Sequence, residues 1–103
     1  MRYSIIITAK ADEQLRDILF YIARDSGSAE IAINYLNKLE RAINNLQLLP
    51  HSGVKPRYSI LRKQGCLMLI VEKHLVFYKV NDEKNLVTVY VVVDGRQEYK
   101  NLI

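Results

Sequence analysis

Two helical periodicities fill residues 8–50, which read TAKADEQLRDILFYIARDSGSAEIAINYLNKLERAINNLQLLP. Thr8 and Ser28 belong to the residue types that cap helix N-termini. Ser26-Gly27 ends the first helix, and Leu49-Pro50 ends the second because proline cannot continue a helix. The stretch therefore predicts two tandem helices that pack as an antiparallel hairpin. Apolar residues recur in them at three- and four-residue spacing, as Leu15, Ile18, Leu19 and Ile22 and then as Ala32, Tyr35, Leu36, Leu39, Ile43 and Leu46.

Strand patterns flank this hairpin on both sides. Residues before the first helix alternate between two faces, and short runs rich in β-branched and aromatic residues follow the second helix. The connections between the later runs are short, which predicts antiparallel neighbours. The predicted strands are residues 2–8, 59–63, 66–72, 75–80 and 86–93. In the last of them Val87, Val89, Val91 and Val93 alternate with Thr88, Tyr90 and Val92.

The order of these elements predicts an α+β fold. Each helix has a single apolar stripe, so a flat apolar surface must cover the hairpin, and the strands can provide it. We expect an N-terminal strand and a helical hairpin packed on a mainly antiparallel sheet, in one domain spanning residues 1–103. Residues 96–103 are amphipathic, and we expect a helical turn there whose Tyr99 and Leu102 reach back to the body.

The positive charge of the chain is concentrated in its second half. The formal net charge is +4, yet residues 1–50 contain six basic and six acidic side chains, against nine and five in residues 51–103. The segment from His51 to Gly65 contains four basic residues and no acid: Lys55, Arg57, Arg62 and Lys63. This density suits an anionic partner such as nucleic acid or an acidic peptide, although a solvated basic face has the same composition.

The sequence shows no pattern typical of an exported protein or of a cofactor-binding protein. The apolar stretch in residues 1–7 is too short for a signal peptide, and no apolar run is long enough to span a bilayer. Cys66 is the only cysteine, which excludes a disulfide framework, and its apolar surroundings predict a buried thiol. We therefore expect a cytoplasmic protein. Two histidines, one cysteine and isolated glycines predict no metal site and no nucleotide cofactor.

Four local patterns, in this order along the chain, resemble the RelE/ParE superfamily of toxins. They are the opening strand followed by residues 9–15 (AKADEQL), the turn 49–53 (LPHSG), Leu61-Arg62 together with residues 75–80 (LVFYKV), and the closing residues 93–99 (VDGRQEY). The resemblance covers essentially the whole chain. It implies the toxin component of a type II toxin–antitoxin system, a class of bacterial proteins associated with growth arrest and plasmid stabilisation.

Within the superfamily, residues 75–80 and 94–99 are more similar to ParE-like members than to RelE. ParE-like proteins poison DNA gyrase by binding it, whereas RelE-like members cleave mRNA in the ribosome and carry an arginine where this chain has Leu75. The resemblance therefore implies a gyrase inhibitor without catalytic residues. Asp94 departs from the ParE-like pattern, which often has histidine before Gly-Arg. Two alternatives remain, namely a ribosome-dependent endoribonuclease and a non-toxic relative that binds an antitoxin-like partner.

An endoribonuclease would need a base for the 2′-hydroxyl, cations for the phosphate and an acid for the leaving oxygen. Outside such chemistry, we expect His74 to be a solvated residue that forms a two-residue hairpin turn with Lys73. The candidates are Arg62, Arg96 and Lys63 for the phosphate, Glu72 or His74 for the base, and Tyr99 or His74 for the acid.

A binding toxin would use a similar set of residues for contact with its partners. In this superfamily the antitoxin wraps the toxin along the helical hairpin and the sheet, so the resemblance implies that the basic residues meet either acidic antitoxin residues or the target. A toxin dimer within the complex is also consistent with the resemblance. The candidate contact residues are Arg57, Arg62, Lys63, Arg96, Tyr99 and Lys100.

Overall fold

The computed structural model describes residues 2–95. It contains a four-stranded sheet in the order β1-β4-β3-β2, in which only the β1–β4 pair is parallel. This confirms the predicted α+β fold with a mainly antiparallel sheet. In chain order the elements are β1 (Ser4–Ile7), α1 (Ala9–Ser26), α2 (Ala29–Asn44), a short 3-10 helix (Asn45–Gln47), α3 (Ser59–Lys63), β2 (Leu67–Val71), β3 (His74–Asn81) and β4 (Leu86–Asp94).

Both helices of the hairpin begin at the predicted caps, but α2 ends at Asn44, before the predicted end at Leu49-Pro50, and a 3-10 helix, Asn45–Gln47, follows it. The Thr8 hydroxyl accepts a hydrogen bond from the Ala11 N–H at 3.1 Å, and the Ser28 hydroxyl accepts one from the Ile31 N–H at 3.2 Å. Gly27 lies between the helices with a φ of 71°, a conformation that favours glycine. Both predicted caps are therefore confirmed, and they satisfy backbone donors that an uncapped helix leaves unpaired.

The apolar stripes of α1 and α2 pack on one face of the sheet, here called the inner face. The stripe residues Leu15, Leu39 and Ile43 are buried there against Tyr78 and other residues of β3 and β4. Complete burial of one such side chain contributes roughly 2 kcal/mol, so the hairpin–sheet contact makes a large contribution to stability. The buried residues of this core are Ala11, Leu15, Leu39, Ile43, Leu46, Val71, Val76, Tyr78, Val87, Val89 and Val92.

The prediction of a strand at residues 59–63 is wrong. These residues form the helix α3, in which the Tyr58 carbonyl accepts hydrogen bonds from the N–H groups of Leu61 and Arg62. Only two consecutive apolar residues, Ile60 and Leu61, occur in the segment, and such a short run does not distinguish the two periodicities. Leu61 is buried and Ile60 is exposed, as the helical arrangement requires.

Helix α3 covers the opposite, outer face of the sheet. Leu61 and Cys66 pack there with residues of β3 and β4 and form a second buried cluster. The predicted burial of Cys66 is confirmed, with only 2% of the residue exposed. The sheet thus has apolar residues packed on both faces. The buried members of this second cluster are Leu61, Cys66, Leu75, Phe77, Val91 and Val93.

A bulge at Tyr90 interrupts the alternation predicted for β4. Phe77 pairs with Val91 and Tyr78 with Val89, so Tyr90 is an extra residue. Val87 and Val89 face the inner core, as does Val92, whereas Val91 and Val93 belong to the outer cluster. The prediction that the four odd-numbered valines share one face is therefore wrong beyond Tyr90.

Beyond the end of β1, side chains at the start of α1 form hydrogen bonds with backbone groups at the edge of β4. The Thr8 hydroxyl donates to the Tyr90 carbonyl oxygen at 3.0 Å, and the Val92 N–H donates to Oε1 of Gln14 at 2.8 Å. These contacts replace the backbone partners that a longer β1 would supply. They give a structural reason for the polar residues in the opening segment, residues 9–15.

Within residues 2–95, no helix combines the length and the apolar character needed to cross a membrane. The predicted helical turn at residues 96–103 lies outside the described residues.

Candidate functional site

An open cleft of about 510 Å³ lies between the loop after α2, helix α3 and the start of β2. Its exposed lining includes three cationic side chains, a histidine and a serine hydroxyl, and its less exposed lining is apolar. We call it the basic cleft, and no acidic residue among residues 2–95 lines it. The lining residues are His51, Lys55, Ser59, Arg62, Lys63, Gly65, Cys66, Leu67 and Val80.

Arg62 holds the loop before α3 against the helix. Its Nη1 donates to the carbonyl oxygens of Pro56 at 2.8 Å and Arg57 at 2.6 Å. Pro56 is fully buried, so this loop is fixed to the protein body. The guanidinium is thereby held in one orientation at the cleft, with a structural role in addition to the binding role predicted from the sequence.

Arg57 and Lys63, the other predicted contact residues of this segment, differ in position. The Arg57 guanidinium carbon lies 4.9 Å from the centre of the Tyr58 ring, and its Nη2 donates to the Tyr58 hydroxyl at 2.9 Å. Lys63 is exposed and lines the basic cleft, whereas Arg57 does not line it. The structure therefore brings Arg62 and Lys63 together.

The turn at residues 49–53 is shaped by the buried hydroxyl of Tyr78. The Gly53 N–H donates to this hydroxyl at 2.9 Å, and a Cβ atom at Gly53 would collide with it. Val54 then pairs with Met68 through two backbone hydrogen bonds of 2.9 Å. Only glycine fits this close approach, so the turn fixes the loop that supplies His51 and Lys55 to the cleft.

His51 connects the same loop to the β3–β4 turn. Its Nε2 lies 2.9 Å from Oδ1 of Asp82, which also accepts a hydrogen bond of 2.6 Å from the Tyr3 hydroxyl. The hydrogen bond from Tyr3, followed by that from His51, lowers the pKa of Asp82. The same contact with Asp82 raises the pKa of Tyr3. The side chains of Tyr3, His51 and Asp82 thus join the residue before β1, the loop after α2 and the β3–β4 turn beside the cleft.

His74 is not the solvated hairpin residue that the sequence predicts. The turn consists of Glu72 and Lys73, and His74 is the half-buried first residue of β3. Its Nδ1 lies 2.7 Å from the Tyr35 hydroxyl, which donates to the Val71 carbonyl oxygen at 3.1 Å. The arrangement that satisfies all three polar atoms has Nδ1–H donating to the hydroxyl.

His74, the Tyr35 hydroxyl and the Val71 carbonyl oxygen are here called the His74 cluster. Burial is the largest influence on the protonation of its two titratable side chains. Desolvation lowers the pKa of His74, and Lys73 lowers it further, while Asp94 and Glu72 oppose the shift. Burial also raises the pKa of Tyr35. The neutral imidazole is therefore favoured by the fold.

Glu72 lies in the β2–β3 turn with a φ of 52° and pairs with Lys38 of α2, Nζ to Oε2, at 3.2 Å. Both side chains are more than half exposed, and such surface pairs contribute little stability. Glu72, like His74, thus contacts α2 on the inner side of the sheet. Arg62 and Lys63 lie on α3, which covers the outer face.

The candidate base and the candidate phosphate-binding cations lie at opposite ends of the β2–β3 pair, since His74 pairs with Val71 beside the turn, whereas Leu67 and Val80 of the cleft lining lie at the other end. A base must lie within hydrogen-bond reach of the proton that it removes, and this placement does not bring His74 or Glu72 to a phosphate held by Arg62 and Lys63. Leu75 is buried in the outer cluster under α3. Arg96, Tyr99 and Lys100 lie outside the described residues.

Sequence analysis did not select Lys55, Ser59 or His51 as site residues. The signal that points to them is the acid-free composition of residues 51–65, because a loop and a short helix from this segment form most of the cleft lining. Among residues 2–95, no three potential metal ligands of the His, Cys, Asp or Glu type come together.

A second surface feature is the apolar end of the helical hairpin. Four large side chains in the last two turns of α1 and the first two turns of α2 are at least half exposed: Phe20 (63%), Tyr21 (61%), Ile31 (54%) and Ile33 (50%). Exposed apolar side chains grouped at one end of a motif indicate a contact surface for another protein.

Known proteins share this architecture. The chain is similar to the chromosomal ParDE toxin–antitoxin system from P. aeruginosa, with a TM-score of 0.74, 17% identity and coverage of 90% of this chain and 96% of that chain. It is also similar to the toxin–antitoxin complex RelBE2 from Mycobacterium tuberculosis, with a TM-score of 0.62, 18% identity and coverage of 91% and 99%. No match is found among curated proteins.

These structural likenesses concern the fold, and the family follows from the sequence. The profile of the ParE toxin of the type II toxin–antitoxin system parDE matches residues 5–99. The match covers every helix and almost every strand residue of the structure. It confirms the superfamily predicted from the four local patterns. The chain therefore belongs to the ParE toxin family of type II toxin–antitoxin systems.

Proposed function

We propose that this toxin inhibits DNA gyrase by binding it, in the cytoplasm, as a single domain of residues 1–103, and that a cognate antitoxin holds it silent. The observation that carries the proposal is the position of Leu75. RelE-like members have an arginine there, whereas here a leucine is buried beneath α3 with Leu61 and Phe77. An arginine at this position would have to displace α3 to reach a substrate.

The distribution of the candidate catalytic groups supports the same proposal. A ribonuclease needs its base and its phosphate-binding cation at one reacting centre, but His74 pairs with Val71 beside the β2–β3 turn, and Arg62 lines a cleft at the other end of these strands. One of the two ring nitrogens of His74, Nδ1, is also engaged by the Tyr35 hydroxyl. A binding toxin needs no such centre.

The apolar end of the hairpin is the surface that we assign to the antitoxin. An antitoxin bound there would bury four exposed apolar side chains, and buried contacts of this kind give a protein interface most of its affinity. They are Phe20, Tyr21, Ile31 and Ile33. The basic residues Arg57, Arg62 and Lys63 are available to acidic residues of the antitoxin or to the target, together with Arg96, Tyr99 and Lys100.

The proposal is tested by inducing the chain without its antitoxin. We expect growth arrest, loss of plasmid supercoiling and intact mRNA. Codon-positioned cleavage of mRNA in a translating extract, with gyrase unaffected, would instead establish the endoribonuclease. Normal growth and unaffected gyrase would identify a non-toxic relative.

A truncation separates the toxic surface from the fold. Deletion of residues 99–103 should abolish toxicity while the circular dichroism spectrum and the unfolding transition remain. A truncated chain that folds and still arrests growth would refute a role of the tail in target binding. Phe20→Ser is a control for the antitoxin surface, since it should weaken antitoxin binding and leave toxicity intact.

A further inference from the structure

The basic cleft has the composition of a small-ligand site. Its volume of about 510 Å³ lies within the range usual for such sites, roughly 300 to 1,000 Å³. Three cationic side chains, Lys55, Arg62 and Lys63, line it together, and Ser59 adds a hydroxyl group. This arrangement favours an anion with several acceptor oxygens.

The cations of the cleft are held by a fixed scaffold. Arg62 is oriented by its hydrogen bonds to the carbonyl oxygens of Pro56 and Arg57. The loop that carries Lys55 is fixed by the Gly53–Tyr78 hydrogen bond and by the pairing of Val54 with Met68. A preorganised group loses less conformational entropy when a ligand binds, so this cleft differs from a row of mobile surface lysines.

The less exposed lining of the cleft is apolar. Cys66 is buried, and Leu67 and Val80 are half-buried. Burial raises the pKa of the Cys66 thiol above its usual range, so the neutral thiol is favoured there despite the nearby charge of Lys79. A ligand that fits both parts therefore has an anionic end and an uncharged body.

Acidic residues flank the cleft on one side. His51, which lines it, is paired with Asp82, and Glu83 follows Asp82 in the β3–β4 turn. Like charges repel, so a polyanion that continued past His51 would meet these carboxylates. This distribution favours a short anion over a continuous nucleic-acid backbone.

We propose that the basic cleft binds a nucleoside phosphate, with its phosphate oxygens at Lys55, Arg62 and Lys63 and its nucleoside against Cys66, Leu67 and Val80. The site is separate from the hairpin surface assigned to the antitoxin. A bound nucleotide stabilises the folded chain, and the stabilisation grows with the logarithm of the nucleotide concentration once this exceeds the dissociation constant.

The test is a titration of the full chain with ADP, adenosine and inorganic phosphate, followed by calorimetry and by amide chemical shifts. We expect ADP to bind more tightly than either fragment and to shift resonances of residues 51–67. Lys55→Gln combined with Lys63→Gln should weaken ADP binding by about tenfold or more, because charge-assisted hydrogen bonds are lost. Lys84→Gln, the matched control in the β3–β4 turn, should leave binding unchanged.

Several results would overturn the proposal. They are absence of ADP binding at millimolar concentration, equal weakening by Lys84→Gln, and binding of single-stranded oligonucleotides or of polyglutamate in place of ADP. Arg62 is not a suitable variant, because its loss would also release the loop at Pro56. The thermal transition of the double variant without ligand should match that of the wild type, which shows that the fold is retained.

Discussion

Substitution of Gly53 by alanine tests whether the loop beside the cleft is fixed by Tyr78. The added Cβ would collide with the Tyr78 hydroxyl and lie 2.9 Å from both the Met68 carbonyl oxygen and Cε1 of Tyr78. Tyr78 is fully buried and has no space into which to retreat. Overpacking of this kind costs about 1 to 3 kcal/mol, and loss of the Gly53–Tyr78 hydrogen bond adds about 1 kcal/mol.

We therefore expect Gly53→Ala to lower the free energy of unfolding by about 2 to 4 kcal/mol. Tyr78→Phe alone should cost about 1 kcal/mol, because it removes one hydrogen bond. The double variant should be less destabilised than the sum, by about 1 kcal/mol, since the phenylalanine lacks the hydroxyl that the new methyl group strikes.

Urea unfolding monitored by circular dichroism measures all three free energies. Ser52→Ala is the matched control, because Ser52 is exposed in the same turn, and it should change the free energy by no more than about 0.5 kcal/mol. Strict additivity of the two substitutions, or a Gly53→Ala variant as stable as the control, would refute the account of this turn.

Three further predictions concern the core and the His74 cluster. The folded-state pKa of His74 lies below its unfolded value, so its contribution to stability is present above about pH 6.5 and is lost as the pH falls. Urea midpoints measured at pH 7.5 and 5.5 should therefore differ less in His74→Gln than in the wild type. Leu75→Arg should cost more than about 3 kcal/mol by burying an unpaired charge, whereas Ile70→Arg, at an exposed position of β2, should cost less than about 0.5 kcal/mol in the same urea assay. Leu39→Ala should cost about 2 to 5 kcal/mol and Lys38→Ala less than about 0.5 kcal/mol; equal losses would contradict the assignment of stability to the apolar core.

The sequence predicts the hairpin well because its signals are long and local. Leu39 and Ile43 repeat a pattern that extends over four helical turns, and Thr8 and Ser28 are caps that act within three residues. A single apolar residue fits either a helix or a strand, whereas a repeat of this length fits only the helical period. The fold class follows from the same signals, since a hairpin with two apolar stripes needs a sheet to cover it.

The errors arise where the local signal is weak. Ile60 and Leu61 are too few to distinguish a helical turn from a strand, and only the apolar outer face of the sheet decides between them. In β4, Val91, Val92 and Val93 are all apolar, so the sequence gives no sign that the bulge at Tyr90 reverses the faces.

The candidate site depends on contacts between distant residues. His74 meets Tyr35, 39 residues earlier in the chain, and this contact determines that the imidazole is half-buried. Val80 joins the lining of the basic cleft from the end of β3. Composition identified the basic segment of residues 51–65, but only the fold shows that Arg62 and Lys63 line a cleft at the end of the β2–β3 pair remote from His74.

Titration of purified gyrase with this protein on supercoiled plasmid tests the central proposal most directly. A binding poison should produce linear DNA in proportion to the amount of toxin until it matches the amount of gyrase, and a preformed complex with the antitoxin should produce none. The variant without residues 99–103 should leave the plasmid uncut. If gyrase supercoils the plasmid normally at an excess of toxin, and the same preparation cuts mRNA on ribosomes, the binding account is wrong and the chain is an enzyme.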